Sequence, residues 1–296
     1  MLKLALARWS LLALAVALTA DAALAACKVS KLAELPVTLV GRRAIVDAKF
    51  GTHDARFIVD SGAFYSTPSR ASAAEFGLSS APAPAWFRLR GINGTASADV
   101  ATAKSFTLAG IPLDKISFIV GGSDTGTAGL LGQNILGLGD VEYDWPHGTV
   151  RLMRSEGCNN TALAHWAEIK PFSAIPLERG DGGPWKSHTT GTVLVNGVKL
   201  RAVFDSGAQT SVMTLAAAKR AGVTQTSPGV VAIGTGSGLG SKQVATWLAP
   251  FDKIALGGEV VPHPKFSIAD LTIDADMLIG SDFIRGLSSN RAENMG

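Results

Sequence analysis

The sequence predicts a mostly β protein of two similar lobes with short helices, and three observations lead there. One segment recurs 145 residues further along the chain. Apolar residues near each copy alternate as they do in strands. Turn formers, 33 glycines and 13 prolines, are spread through all 296 residues.

Composition narrows the class first. Apolar residues make up 47% and charged residues 17% of the chain, which excludes the disordered class. A net charge of +3 is too small over this length to mark a nucleic-acid partner. The histidines, His53, His147, His165, His188 and His263, lie far apart, no HExxH occurs, and there are 2 cysteines. That rules out a zinc framework, and neither metal nor cofactor is expected.

Residues 1–25 read as a signal peptide. Lys3 and Arg8 form a basic start, Trp9 to Ala20 is an apolar run, Asp21 closes it, and Ala23-Leu24-Ala25 matches a small-x-small cleavage site. The run is too short to span a bilayer, and no other stretch is long enough. The mature protein is therefore expected to be exported, either periplasmic or secreted. Cys27 has two readings. Leu24-Ala25-Ala26-Cys27 resembles a lipoprotein box, which would anchor the chain by a lipid at Cys27. A disulfide to Cys158 avoids an odd thiol in an oxidising compartment and is the favoured reading.

The internal repeat carries most of the information. Phe57-Ile-Val-Asp60-Ser61-Gly62-Ala63 returns as Ala202-Val-Phe-Asp205-Ser206-Gly207-Ala208. Further landmarks keep the same order. Gly77-Leu78 answers Gly222-Val223, and Leu108-Ala109-Gly110 answers Leu256-Gly257-Gly258. A glycine-rich tip at Gly91-Ile92-Asn93-Gly94 answers Gly234-Thr235-Gly236-Ser237-Gly238. Leu130-Leu131-Gly132 answers Leu278-Ile279-Gly280. A lone Asp-Ser-Gly is a turn or a helix cap; a collinear pair with four further landmarks is a duplicated lobe.

Each lobe has the same expected elements. Strands at Ala44–Phe50 and Arg56–Val59 flank a polar turn at Gly51-Thr52-His53-Asp54, and strands at Thr192–Val195 and Lys199–Phe204 flank Asn196-Gly197, a strong hairpin signal. Short helices are expected at Ser69–Phe76 and Leu215–Ala221, with Gly222 at the C-terminal cap, and another strand at Lys115–Val120. Residues 155–190, with Asn159-Asn160, Pro171, Pro176 and Gly180-Asp-Gly-Gly-Pro184, break the pattern. They separate an N-terminal lobe, 26–154, from a C-terminal lobe, 191–296. Trp166 and Trp185 in this connection read as packing residues.

Two Asp-Ser-Gly-Ala loops, each followed by a hydrophobic-hydrophobic-Gly element, resemble the aspartic proteases. The short lobes and glycine-rich tips are similar to the retropepsin-like branch, here fused into one bilobal chain as in the pepsin-like proteins. The resemblance implies two pseudo-symmetric retropepsin-like β-barrel lobes, the acid protease fold. It implies that Leu130, Leu131, Gly132, Leu278, Ile279 and Gly280 buttress the aspartate loops from beneath. It also implies that Gly91, Ile92, Asn93 and Gly94, and Gly234, Thr235, Gly236 and Ser237, are tips of flaps over a bound peptide. Ordinary glycine turns are the plain alternative for the flaps, and the pepsin-type flap tyrosine has no match.

The chemistry follows from the residues. A pseudo-two-fold axis would bring Asp60 and Asp205 side by side. Two carboxylates in contact cannot both ionise cheaply, so they share a proton. Such a pair can deprotonate a water while protonating a peptide carbonyl. The Ser61 and Ser206 hydroxyls are expected to bond the carboxylates. Gly62 and Gly207 should allow close approach and lend their amides, and Ala63 and Ala208 should leave room for the facing lobe.

The expected activity is an aspartic endopeptidase on an extended polypeptide substrate, acting as a monomer. One departure from symmetry stands out. Lobe 1 continues through Asp140–Asp144, a turn at Trp145-Pro146-His147-Gly148, and Thr149–Met153. The polar end of the chain from Leu287 has no such pattern. The missing hairpin leaves open a catalytically silent protein that binds peptides in the same cleft, and a lipid-anchored scaffold is the third reading. Serine-type hydrolysis is disfavoured, because no GxSxG is present.

Overall fold

A computed structural model describes residues 27–91, 94–158, 163–164, 172–178, 188–236 and 243–284. The protein is mostly β and has two lobes, with the same local path in each.

In lobe 1 the strands Arg43–Phe50 and His53–Val59 pair antiparallel around Gly51-Thr52. The turn is shorter than the sequence suggests. Gly51 takes φ +57, and Phe50 already faces His53 across the ladder, so His53 and Asp54 belong to the strand. Alternate residues of the first strand, Ala44, Val46, Ala48 and Phe50, point inward and are buried, as a half-buried sheet requires. Phe50, Phe57, Phe106 and Phe118 meet edge-on, tilted and, for Phe57 on Phe118, stacked, with centroids 4.9 to 6.3 Å apart, and form the centre of the lobe 1 core. Lobe 2 builds its core from Met213, Ile254, Phe266, Ile268, Met277 and Ile279. Truncating one of the buried phenylalanines to Ala would cost about 3–5 kcal/mol.

The repeat in sequence is a repeat in topology. Gly129–Leu131 lies parallel to Phe57–Val59 and antiparallel to Thr67-Pro68. Met277–Ile279 lies parallel to Ala202–Phe204 and antiparallel to Val212-Met213. The short helices match as well. Arg70–Glu75 is capped by Ser69, whose hydroxyl accepts from Ser72 N at 3.0 Å, and Leu215–Arg220 by Thr214, which accepts from Ala217 N at 3.1 Å. Both end in a Schellman turn. Gly77 and Gly222, at φ +62 and +84, turn the chain, and the next residue's amide returns to Ala73 O and Ala218 O, each at 2.9 Å.

The lobes differ at their ends. Lys28–Val40 pairs with Thr149–Glu156 along its first part and with Arg43–Val46 along its last. Asp140–Asp144 completes this layer. The strand runs to Glu156, beyond the expected boundary at 154, because Ser30, Val29 and Lys28 continue to pair with Arg154, Ser155 and Glu156. Arg151 holds the layer by reaching Glu34, Glu142 and Asp144 at 3.1, 2.6 and 2.9 Å. Cys27 and Cys158 form a disulfide at its end. A Cys27 in that bond carries no thioether lipid. Lobe 2 shows no equivalent hairpin among the described residues, and residues 285–296 lie outside them. The signal peptide, Trp166 and Trp185 also lie outside the described residues. No described helix is long and apolar enough to cross a membrane.

Candidate active site

Each aspartate sits where a strand ends and the chain turns sharply. Asp60 N is held by Leu131 O at 3.0 Å and Asp205 N by Ile279 O at 2.9 Å. The carboxylates are then fixed by local amides. Asp60 Oδ1 accepts from Ala63 N at 2.8 Å; Asp205 Oδ1 accepts from Gly207 N and Ala208 N, both at 2.9 Å. Ala63 and Ala208 thus act on the carboxylate of their own lobe. The two carboxyl groups lie close enough for each to act on the other's ionisation.

Electrostatics follow from that contact. Burial, then the Asp205 charge, pushes the Asp60 pKa well above the ordinary carboxylate value, and burial also raises that of Asp205. The pair titrates as a unit. Asp60, 8% exposed, is the more strongly raised of the two.

The glycines have a sharper role than general close approach. A Cβ on Gly62 would fall 2.4 Å from Asp205 Cγ, and one on Gly207 would fall 2.3 Å from Asp60 Cγ. Each glycine makes way for the acid of the opposite lobe.

The serines depart from expectation. Their hydroxyls do not bond the carboxylates; they cross the pseudo-two-fold axis. Ser61 Oγ donates to Phe204 O at 2.7 Å and accepts from Ser206 N at 2.9 Å. Ser206 Oγ donates to Val59 O at 2.9 Å and accepts from Ser61 N at 3.0 Å. The reason is geometric: the carboxylates are already served by their own loops' amides, while the strand ends of the opposite lobe present unpaired backbone groups. Tyr143 lies near the same pair of hydroxyls, and loss of hydration pushes its pKa up to about 12.

The buttress residues occupy corresponding positions. Leu131 and Ile279 are buried, and Gly132 and Gly280 leave no room for a side chain against the backbone of Tyr65 and Thr210. The residues just beyond these glycines carry roles that residue order did not reveal. Gln133 Nε2 donates to Ser61 O at 2.9 Å, and Ser281 Oγ donates to Ser206 O at 2.9 Å. Asn134 Oδ1 accepts from Ser66 N and Ser66 Oγ, both at 2.7 Å; Asp282 Oδ1 accepts from Ser211 N and Ser211 Oγ, both at 2.8 Å. The unlike pairs Gln133-Asn134 and Ser281-Asp282 are thus matched in role. The available signal was a serine at the same place after each aspartate, Ser66 and Ser211.

Flap positions are partly described. Leu89–Gly91 and Gly94–Ala96 form a hairpin with Gly91 facing Gly94; Ile92 and Asn93 lie outside the described residues. Its stem packs on Phe64 and Tyr65, just past the Asp60 loop. Gly234, Thr235 and Gly236 end the edge strand Val231–Gly236, paired with Val244–Pro250; Ser237 lies outside the described residues. Among the described residues no His, Cys, Asp and Glu group could hold a metal.

Comparison with known proteins finds a match on each lobe. Residues 191–283 match the aspartyl protease family, and residues 46–137 match the family described as "gag-polyprotein putative aspartyl protease". Together the matches cover more than half of the chain, one on each lobe and each containing one of the aspartates. The chain belongs to the aspartyl protease family. Similar solved structures include a retropepsin-like aspartic protease from Rickettsia conorii, with 20% identity over 44% of this chain and 94% of that one and a TM-score of 0.32. The EIAV protease complexed with the inhibitor HBY-793 has 25% identity over 38% and 95%, TM-score 0.28. The aspartic proteinase from Irpex lacteus has 13% identity over 85% and 91%, TM-score 0.47. No curated protein matches the chain.

Proposed function

We propose that this protein is an aspartic endopeptidase in which Asp60 and Asp205 together activate a water. The observation that carries the reading is the close approach of two like loops, in which each aspartate carboxyl lies against the glycine that follows the other, within 2.3–2.4 Å of where a Cβ would stand. With one proton between them, the pair is both acid and base. Asp205 takes a proton from the water as its oxygen attacks the peptide carbonyl carbon. Asp60 gives its proton to the carbonyl oxygen, forming a tetrahedral diol. The proton on Asp205 then passes to the amide nitrogen, the C–N bond breaks, and Asp60 recovers a proton from a diol hydroxyl. No covalent enzyme intermediate forms.

An extended polypeptide would suit a cleft between the lobes, since the hairpin whose stem packs on Phe64 and Tyr65 beside the Asp60 loop could offer main-chain partners as an added strand would. Both acids come from one chain, which supports a monomer as the active unit. The Cys27–Cys158 disulfide supports an exported protein, periplasmic or secreted.

Cleavage of unfolded casein across a pH series, with and without pepstatin, tests the reading. Wild type should cleave and be inhibited, while Asp60→Asn and Asp205→Asn should each lose cleavage and keep the fold. Undiminished cleavage in both variants would discard it.

A further inference from the structure

The two aspartate loops agree up to Ala63 and Ala208, and again at Ser66 and Ser211, but the two residues between differ. Lobe 1 has Phe64-Tyr65 there and lobe 2 has Gln209-Thr210. Phe64 follows directly on Ala63, whose amide holds Asp60 Oδ1 at 2.8 Å, so the loop fixes where its ring starts. A row of rings continues from it. Centroid to centroid, Tyr65 stands 6.0 Å from Phe64, Phe87 stands 6.1 Å from Phe64, and Trp86 stands 6.1 Å from Phe87. Phe64 and Tyr65 are half-buried and Phe87 is buried, while Trp86 is 76% exposed. The row therefore leads from the aspartate loop to the surface.

Trp86 sits on a turn that is held in place. Pro84 O accepts from Phe87 N at 2.8 Å, and the Arg88 guanidinium donates to Ala85 O and Phe87 O, both at 2.8 Å. Ala83 N donates to Ala98 O at 3.0 Å, which ties the turn to the strand Ala98–Leu108. The hairpin beginning at Leu89 follows at once, and Leu89 packs in one cluster with Phe87 and Phe64. A single exposed ring needs no partner; one that continues a row of rings into a catalytic loop makes an apolar path to that loop. No such row leaves the second loop among the described residues. Gln209 and Thr210 are exposed, and Gln209 Oε1 lies 3.9 Å from where a Cβ on Gly41 of the other lobe would stand. The lobe 2 rings that meet, Phe251, Phe266 and Phe283, pack in and on its core instead.

We propose that Phe64, Phe87 and Trp86 form a specificity surface that takes an aromatic side chain of the substrate, on one side of the scissile bond only. The proposal deepens the endopeptidase reading above and rests on it. Aromatic rings attract one another offset or edge-on at about 4.5–7 Å, the spacing this row already keeps, and a substrate ring would extend it. From Phe64 to Trp86 the row is two steps of 6.1 Å, which an extended peptide rising ~3.3 Å per residue covers in about four residues. Gln209 and Thr210 offer a polar surface at the matching place, so the preference does not repeat on the other side.

Cleavage sites in unfolded casein, mapped by mass spectrometry, should show Phe, Tyr or Trp enriched at a fixed position within about four residues on one side of the cut bond. Equal enrichment on both sides, or none, overturns the proposal. A peptide pair carries the test to the residue: an alanine- and serine-rich decapeptide with one central phenylalanine, and the same peptide with alanine in its place. Trp86→Ala, an exposed change that circular dichroism should show to be folded, should lower the ratio of kcat/KM for the pair about 3- to 10-fold, through KM. Trp86→Phe should restore most of it. An unchanged ratio in Trp86→Ala overturns the proposal. A second readout needs no cleavage. By calorimetry Asp205→Asn should bind the phenylalanine peptide more tightly than its counterpart, and adding Trp86→Ala should remove about 3- to 10-fold of that difference. Equal affinities overturn the aromatic surface alone. Asp205→Asn that still cleaves casein overturns the dyad reading instead, and the affinities of the pair still decide the surface.

Discussion

Gly62 and Asp205, from opposite lobes, occupy adjoining space so closely that a single added methyl on Gly62 would lie 2.4 Å from the carboxylate carbon. The same holds for Gly207 and Asp60. The separation of the two acids is thus set by the absence of side chains between them. Gly62→Ala or Gly207→Ala should reduce casein cleavage at least ~100-fold, the cost of about an ångström of misplacement at a reacting centre. Circular dichroism should still report a folded protein. Retained cleavage in either variant would show that the acids work at a wider spacing.

The crossed serines should govern stability before chemistry. Ser61→Ala leaves the Phe204 carbonyl and the Ser206 amide without their partner, a loss of about 1–3 kcal/mol. Ser61→Thr keeps the hydroxyl and should keep most of the stability. Urea denaturation of the two variants beside wild type checks this. Equal midpoints for Ala and wild type would mean the crossed bonds contribute nothing.

Asp60 should make the fold less stable as pH rises. Its folded pKa lies above its unfolded value, mainly through burial and then through Asp205. Its contribution is therefore full below the unfolded pKa, about 3.9, and is lost as pH rises through the folded value. Asp60→Asn cannot ionise. It should melt above wild type at pH 7, and the gap should close toward pH 4. Calorimetry at the two values decides, and a gap that is absent or reversed at pH 7 contradicts the sign.

Pseudo-symmetry predicts which changes are tolerated behind the loops. Asp282 does in lobe 2 what Asn134 does in lobe 1. Asp282→Asn should therefore stay within about 1 kcal/mol of wild type and remain active, while Asp282→Ala should lose about 1–3 kcal/mol. Comparable losses in both variants would mean that the charge, and not the acceptor geometry, holds Ser211.

The Cys27–Cys158 bond closes a loop spanning 131 residues. Replacing both cysteines by serine should destabilise the fold by about 2–4 kcal/mol. Mass spectrometry of the native chain should show the mass of a disulfide. An acyl addition on Cys27 would exclude the bond.

Much of this molecule was legible in its sequence. The two aspartate loops, the strands before them and the capped helices declared themselves through residue order. A hairpin, a Schellman turn and a strand end each depend on a few neighbouring residues. The polar turn after Phe50 was read too long because His53 and Asp54 look like turn residues, and only pairing across the ladder makes them strand. The serine hydroxyls were assigned to the wrong partners for a related reason. Within one loop the carboxylate is the nearest acceptor, and nothing in the order of residues says that another lobe's backbone arrives closer.

Residue order alone was enough to read the duplication, the β architecture and the two like aspartate loops, since these rest on local pattern and its repetition. Tertiary packing decided the rest: the crossed Ser61 and Ser206 between the lobes, and the matched work of Gln133 and Ser281 within them. Those contacts join residues far apart in the chain, and they come into being only when separate stretches pack together and each unpaired polar group must find a partner there.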